Sequence, residues 1–253
     1  MHPDSHFSLR QVLLDRSVLP GEVELAVVMP CYNESANLER VVREWVEEFR
    51  QLGIRFVFLV IDDGSRDRTV EVLARLESEF QEVVGWRKSN DGHGITCRKG
   101  YEQALELEVP WIFQIDSDGQ CDPAYFAEFW KTRENADLVF GERVSRDDGF
   151  ARWLTSQACR IGTFLWTGTH LRDPNVPYRL MRSAALKKAM QRIPPDFNIY
   201  NVALSLALKR EAGLRWQYIP IHFRNRAGGT NSINLWAVCR MGWKMLLGLR
   251  RVR

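Results

Sequence analysis

From Leu25 onward the chain alternates uninterrupted apolar runs with apolar residues at helical spacing. LAVVMP, residues 25–30, reads as a strand buried on both faces. Leu38, Val41, Val42, Trp45, Val46, Phe49 and Leu52 then recur three and four apart, the stripe of an amphipathic helix. Gly53 punctuates, FVFLVID repeats the buried strand, and Asp67 with Thr69 supplies a cap for a helix carrying Val70, Leu73 and Leu76. A short strand near VVGW, a glycine-containing loop SNDGHG, a helix around TCRKGYEQALE and the apolar run WIFQID follow. Four strand–helix alternations within about 100 residues predict a mostly parallel sheet with helices on both faces, because each parallel crossover needs a covering element.

In such sheets ligands collect outside the carboxyl ends of the strands. The polar clusters fall there: CYNES after the first strand, DDGS after the second and DSDGQ after WIFQI. Past ADLVFGER the pattern predicts helices over about 150–167, 183–192 and 198–211, a strand at QYIPIHF and a final helix. There is no linker rich in Gly, Pro or Ser, no internal repeat and no low-complexity tract.

Composition narrows the class. With 253 residues, 45% of them hydrophobic, the chain can build a large core, and a net charge of +3 gives no ground for nucleic-acid binding. Cys31, Cys97, Cys121, Cys159 and Cys239 are scattered singly, without a C-x-x-C pair, which fits a reducing cytoplasm. The first 24 residues lack the pattern of a signal peptide, and no run of about 18 apolar residues follows. The expectation is a soluble protein, or one peripheral at the inner face of a membrane.

In WIFQIDSDGQ, Asp116 and Asp118 are two apart at a strand end, so extended geometry places them on one side, with Gln120 two residues further on. Two carboxylates with room for substrate phosphates suit magnesium or manganese, which would neutralise a diphosphate leaving group. D-x-D also fits a solvated turn in a chain with 32 acidic residues; the buried strand before it and the other acidic loops favour the metal. Asp62 and Asp63 are placed to accept hydrogen bonds from a nucleobase or ribose, with Asp67 and Thr69 left to cap the helix. The two glycines of Asn90-Asp91-Gly92-His93-Gly94 permit close backbone approach to a ligand, and His93 reads as a turn residue. Trp45 and Trp130 fall on helical stripes and read as packing, while His170 and His222 have no metal-ligand spacing.

The series VVMPCYNES, VIDDGSRDRT, SNDGHG, FQIDSDGQ and GERV, in this order, resembles family 2 glycosyltransferases of the GT-A fold, and within them the dolichol-phosphate mannosyltransferase group. The resemblance covers about residues 24–145 and continues more weakly to Phe223. It implies an α/β fold with nucleotide-diphospho-sugar transferase architecture and inversion at the sugar carbon. It implies that Pro30, Tyr32, Glu34, Asp62 and Asp63 line the base and ribose site, that Asp116 belongs to the donor site, and that Asp116, Asp118 and Gln120 hold Mg2+ or Mn2+. Arg226 stands where a donor-phosphate arginine belongs. Arg143, with Arg152 and Arg179, falls toward the acceptor, and Asp118, Arg143 and Asp173 are the catalytic candidates. The family segment D-x-T-S-G-F-R appears here as Asp173-Pro174-Asn175-Val176-Pro177-Tyr178-Arg179.

Hydroxyl-glycosylating relatives carry an acidic pair at the start of the following helix, where this chain has Asn198-Ile199-Tyr200-Asn201. A hydroxyl acceptor needs a base, whereas a phosphate monoester is already an anionic nucleophile. The missing pair favours a phosphate acceptor, although Asp173 or Asp196 can supply a base from another position. In SINLWAVCRMGWKMLLGLRRVR, Arg240, Lys244 and Arg251 share a sector of about 40° away from Leu235, Cys239, Trp243 and Leu246. Such a helix fits a membrane interface with anionic lipid or packing on the domain.

The reading is an N-terminal extension at 1–23, a GT-A domain at 24–232 and an amphipathic helix at 233–253. It passes a hexose from a GDP- or UDP-sugar to a polyprenyl phosphate, dolichyl or undecaprenyl. The alternatives are a hydroxyl acceptor on a glycan, lipid or small metabolite and, more remotely, a non-catalytic nucleotide-binding module. A dinucleotide oxidoreductase is disfavoured because CYNES stands where G-x-G-x-x-G would follow the first strand. Oligomeric state is left open.

Overall fold

The apolar runs of the first half become the centre of a seven-stranded sheet. The computed structural model describes residues 7–17, 20–144, 164, 168–197 and 199–224. Strands β1 (Leu25–Cys31) and β2 (Phe56–Asp62) are buried at every position, as expected of central parallel strands covered on both faces. They pair in register from Leu25↔Phe56 to Cys31↔Asp62. β3 (Val83–Arg87) flanks β2, with Asp62 opposite Arg87, and β4 (Trp111–Ile115) flanks the other side of β1. Beyond β4 come β5 (Leu138–Arg143), β6 (Tyr178–Arg182) and β7 (Trp216–Ile221), in the order β3-β2-β1-β4-β6-β5-β7.

β6 runs antiparallel to both β4 and β5; the remaining pairs are parallel. Sequence patterning does not find β6, because YRLMR interleaves arginines with apolar residues. Arg179 is nevertheless buried inside it.

The helices are α1 (Leu9–Asp15), α2 (Leu38–Gln51), α3 (Thr69–Glu79), α4 (His93–Leu105), α5 (Phe126–Thr132), α6 (Ser183–Gln191) and α7 (Tyr200–Arg210). The stripe expected on α2 is the buried one, with Glu39 in its first turn and Arg50 in its last, each complementing the helix dipole. Trp45 packs among the rings of Phe49, Phe113, Phe126 and Tyr178, bringing α2 and α5 onto the Phe113 face of β4. The next residue, Gln114, points to the opposite face and accepts from the Tyr101 hydroxyl of α4 at 2.5 Å. Gly100 permits that approach: a Cβ there would stand 2.5 Å from Ile61 Cδ1 and Val28 Cγ1.

The described part of the expected N-terminal extension packs into this core. Leu9, Val12 and Leu13 are buried, and Phe7 stacks on Trp86 with ring centroids 4.6 Å apart. Arg16 donates to the carbonyls of Gln81 and Val83 at 2.9 and 2.7 Å, covering part of the β3 edge. The stretch 150–163 and the helix expected at 233–253 lie outside the described residues. Among the described residues no helix is long and apolar enough to cross a membrane.

Candidate active site

Because β1, β2 and β3 end level with one another, three polar loops leave the sheet along one edge. β1 pairs with β4 only from Leu25 to Val28. Pro30, buried at the end of β1, has no N–H with which to extend that ladder, so the two strands part there. This is where connections run to opposite sides of the sheet, the place where doubly wound sheets bind ligands.

The first two loops are bolted together. Asn33, at φ +55°, donates from its backbone to Ser65 Oγ at 2.9 Å, and its side chain accepts from Arg66 N at 2.8 Å. Glu34 N donates to Thr69 Oγ1 at 2.9 Å and Ser35 N to Asp67 Oδ2 at 3.2 Å. The other Asp67 oxygen accepts from Thr69 N at 3.0 Å, so Asp67 braces the start of α3 from one residue before the N-cap, Arg68, which has no side-chain cap bond; the sequence expects Asp67 itself as the cap. Burial acts to raise the Asp67 pKa, but hydrogen bonds from Thr69 and Ser35 outweigh it and bring the value down to about 2. Glu34 also accepts from the Asn37 amide at 3.0 Å, and Tyr32, the first residue after β1, stands 42% exposed.

Asp62 and Asp63 are both buried but differ in kind. Asp62 Oδ1 accepts from Ser65 N at 3.0 Å, while Oδ2 accepts no hydrogen bond among the described residues and has the Arg87 guanidinium at 3.5 Å. Asp63 is not free in the way the sequence implied. Its Oδ1 accepts from Lys88 Nζ and from Asp91 N at 2.9 Å, and its Oδ2 accepts from Gly92 N at 3.0 Å. Lys88, itself buried, also reaches Asp91 Oδ2 at 3.3 Å, and Lys99 meets the same oxygen at 2.8 Å. Lys99, against the opposing effect of burial, holds the Asp91 pKa low. Asp63 and Lys88 thus fix the third loop.

That loop delivers His93, which is the first residue of α4 rather than a turn residue. Its Nε2 lies 3.0 Å from Asp116 Oδ1. Cys97 first, and Asp116 next, push the imidazole pKa up. Nothing in the sequence spacing pairs residues 93 and 116; only the close approach of α4 to the end of β4 does so.

Asp116 and Asp118 leave β4 in a turn closed by Gly119 at φ +76°, and Gln120 N donates to Asp118 Oδ1 at 3.1 Å. The Gln120 amide donates to the Arg224 carbonyl at 3.3 Å, and Arg224 N donates back to Gln120 O at 2.9 Å. Arg224 Nη1 and Nη2 reach Glu44 at 2.5 Å and Asp122 at 2.7 Å, tying this turn to α2 and to the chain after β7. Among the described residues no three His, Cys, Asp or Glu side chains converge as a metal cage. Two hard carboxylate donors without a cage fit magnesium or manganese, which completes its shell with substrate phosphate and water.

At the far end of the edge, Arg143 closes β5 and forms an ion pair with Asp173, Nε to Oδ2 at 2.7 Å and Nη2 to Oδ1 at 2.6 Å. Arg179 corrects the expectation of an acceptor contact. It is buried and donates to the carbonyls of Val176, Pro174 and Asn201 at 2.6, 2.6 and 2.9 Å, so its guanidinium shapes the loop before β6. Arg152, Asn198 and Arg226 lie outside the described residues. Cys31, Cys97 and Cys121 are free and buried; burial, reinforced by Asp62 beside Cys31 and Asp116 beside Cys121, pushes the Cys31 and Cys121 thiols up.

A mostly parallel α/β sheet with acidic loops along this edge is the architecture of GT-A nucleotide-diphospho-sugar transferases, and solved structures of that kind superpose on it. Mannosyl-3-phosphoglycerate synthase from Rubrobacter xylanophilus matches with a TM-score of 0.62 over 97% of this chain and 77% of its own, at 14% identity. Glucosyl-3-phosphoglycerate synthase from Mycobacterium tuberculosis, solved with UDP, matches with a TM-score of 0.54 over 100% and 87%, at 17% identity. Residues 26–247 match Glycosyl transferase family 2, and the chain belongs to that family. Among curated relatives it is 28% identical over 172 residues to an undecaprenyl-phosphate 4-deoxy-4-formamido-L-arabinose transferase of Pseudomonas aeruginosa, covering 66% of this chain and 50% of that protein. The chain therefore spans half the length of that relative.

Proposed function

We propose that this protein is an inverting, metal-dependent transferase that moves a hexose from a GDP- or UDP-sugar to a polyprenyl phosphate. The observation that carries the donor half is the Asp116–Asp118 turn at the end of β4, opposite the loop from β1 where the two strands part. Asp116 and Asp118 would hold Mg2+ or Mn2+, with Gln120 beside them. When bound, the ion supplies positive charge to the diphosphate leaving group. Tyr32 offers a ring to a base. The buried Oδ2 of Asp62, which has the Arg87 guanidinium at 3.5 Å but accepts no hydrogen bond among the described residues, offers an acceptor to a base or ribose donor, since such an oxygen costs stability until it is met. Pro30 and Glu34 place that loop, and Asp63 acts through the loop it holds. Arg226 would face the donor phosphates.

Two observations support a phosphate acceptor. The Pseudomonas relative is by name a transferase to undecaprenyl phosphate. In this chain Asp173, a candidate base for a hydroxyl acceptor, is held in a two-point ion pair by Arg143. A carboxylate so engaged has both oxygens occupied by the guanidinium and must leave it before it can take a proton from a hydroxyl. Arg143, and Arg152 beyond the described residues, would meet the acceptor phosphate at the inner surface of a membrane.

The test is transfer by purified protein with manganese and a panel of GDP- and UDP-sugars, with and without a short polyprenyl phosphate, using Asp118→Ala as the control. Metal-dependent transfer to the lipid phosphate that Asp118→Ala abolishes is the expected result. Donor hydrolysis without lipid transfer would move the reading to another acceptor, and no donor turnover or binding would overturn it.

A further inference from the structure

We propose that His93 is a positioning residue that fixes the Asp116 carboxylate for the divalent ion, and that the Asp63–Lys88 pair sets its place. The inference rests on the metal reading of Asp116 and Asp118 given above. β2 and β4 are not neighbours, since β1 lies between them. A continuous set of contacts nevertheless joins their ends. Asp63, at the end of β2, takes the backbone N–H groups of Asp91 and Gly92 at 2.9 and 3.0 Å. Lys88 and Lys99 grip the Asp91 side chain at 3.3 and 2.8 Å, and Thr96 Oγ1 donates to Gly92 O at 3.1 Å. The first residue after Gly92 is His93, and its Nε2 meets Asp116 Oδ1 at 3.0 Å, while the Cys97 sulfur lies 3.8 Å from each ring nitrogen.

A carboxylate oxygen carries two lone pairs, so an imidazole donor on Oδ1 leaves one of them and all of Oδ2 for an ion. Ligating carboxylates are commonly held by such outer partners, whose removal weakens metal binding by about 10–100-fold. The His93 side chain is 50% exposed, so truncating it empties no core volume. Its effect is therefore separable from folding.

The experiment is Mn2+ binding to the full chain, read from the electron paramagnetic resonance signal of free Mn2+, with UDP or GDP present, at one fixed pH. His93→Ala is expected to weaken binding by about tenfold or more. His93→Gln, whose amide also donates, is expected to recover most of that loss, and both variants should unfold at the temperature of the parent. An affinity of His93→Ala equal to or tighter than that of the parent overturns the inference, a tighter one showing that the imidazole competes with the ion. Asp118→Ala separates the two levels: if the parent binds no more Mn2+ than Asp118→Ala, the metal reading itself falls and the role of His93 with it.

Discussion

Arg143 and Asp173 hold each other fork to fork, with Nε and Nη2 of one guanidinium edge each on one carboxylate oxygen and a third bond from Arg143 N to Oδ2 at 3.2 Å. The two are 30 residues apart in the chain, at the end of β5 and in the loop before β6. Each was an independent candidate for the acceptor side of the site. Joined in this way, the carboxylate orients the arginine, and the arginine keeps both carboxylate oxygens occupied.

That relationship separates the two kinds of acceptor. If the acceptor is a phosphate, Asp173→Asn should leave kcat within about tenfold of the parent and act mainly on the acceptor KM, since no proton has to be removed. Arg143→Ala should raise the acceptor KM more strongly, because it removes the charge that meets the phosphate. Steady-state transfer at varied acceptor concentration reads both. A drop in kcat of about a hundredfold or more for Asp173→Asn is the size expected on losing a general base, and it would transfer the assignment to a hydroxyl acceptor.

The parts of this site that the sequence discloses are those written by one element alone. LAVVMP and FVFLVID predict β1 and β2 because every residue is buried in a central parallel strand, so no polar residue interrupts the run. Asp116 and Asp118 stand out because they follow such a run directly. The place of Asp67 at the start of α3 is legible for the same local reason, although its bond to Thr69 N comes from one residue before the N-cap. What the sequence hides depends on distant partners. Lys88 carries no signal in the sequence, and it is buried because Asp63, 25 residues earlier, arrives beside it. Arg179 obscures β6 because a buried arginine is unexpected, and it is tolerated here through three backbone carbonyls that only the folded loop brings together. His93 belongs to this hidden set.

Asp67 gives a prediction in pH. Its folded pKa, about 2, lies below the value of about 3.9 for an unperturbed aspartate. A depressed folded value means that the unfolded chain binds the proton more readily. The stabilisation is therefore fully present above about pH 4 and fades as the pH falls through about 2. Asp67→Asn should be less stable than the parent at neutral pH, and the two should converge in acid. Asp67 is exposed, so the difference should be small and should shrink in high salt. Urea midpoints at several pH values measure it. A gap that stays constant down to about pH 2 would show that the lost bonds to Ser35 and Thr69 do not depend on the charge.

Lys88 and Asp63 carry the strongest stability prediction. Removing one member of a buried ion pair typically costs about 3–5 kcal/mol, because the other is left charged and unpaired. Here Asp63 would keep two backbone donors, so Lys88→Met should fall near the lower end, about 3 kcal/mol. For a domain of this size that corresponds to a fall of about 6–12 °C in Tm. Adding Asp63→Asn should restore part of the loss, since the unpaired charge goes with it, and the double variant should be less destabilised than the sum of the singles. Because the pair also holds the loop that carries His93, Lys88→Met should weaken nucleotide-sugar binding even where the protein is still folded. A variant that keeps the parental Tm yet loses donor binding would place Lys88 in contact with the donor itself, and the ion pair would then be a resting arrangement that substrate displaces.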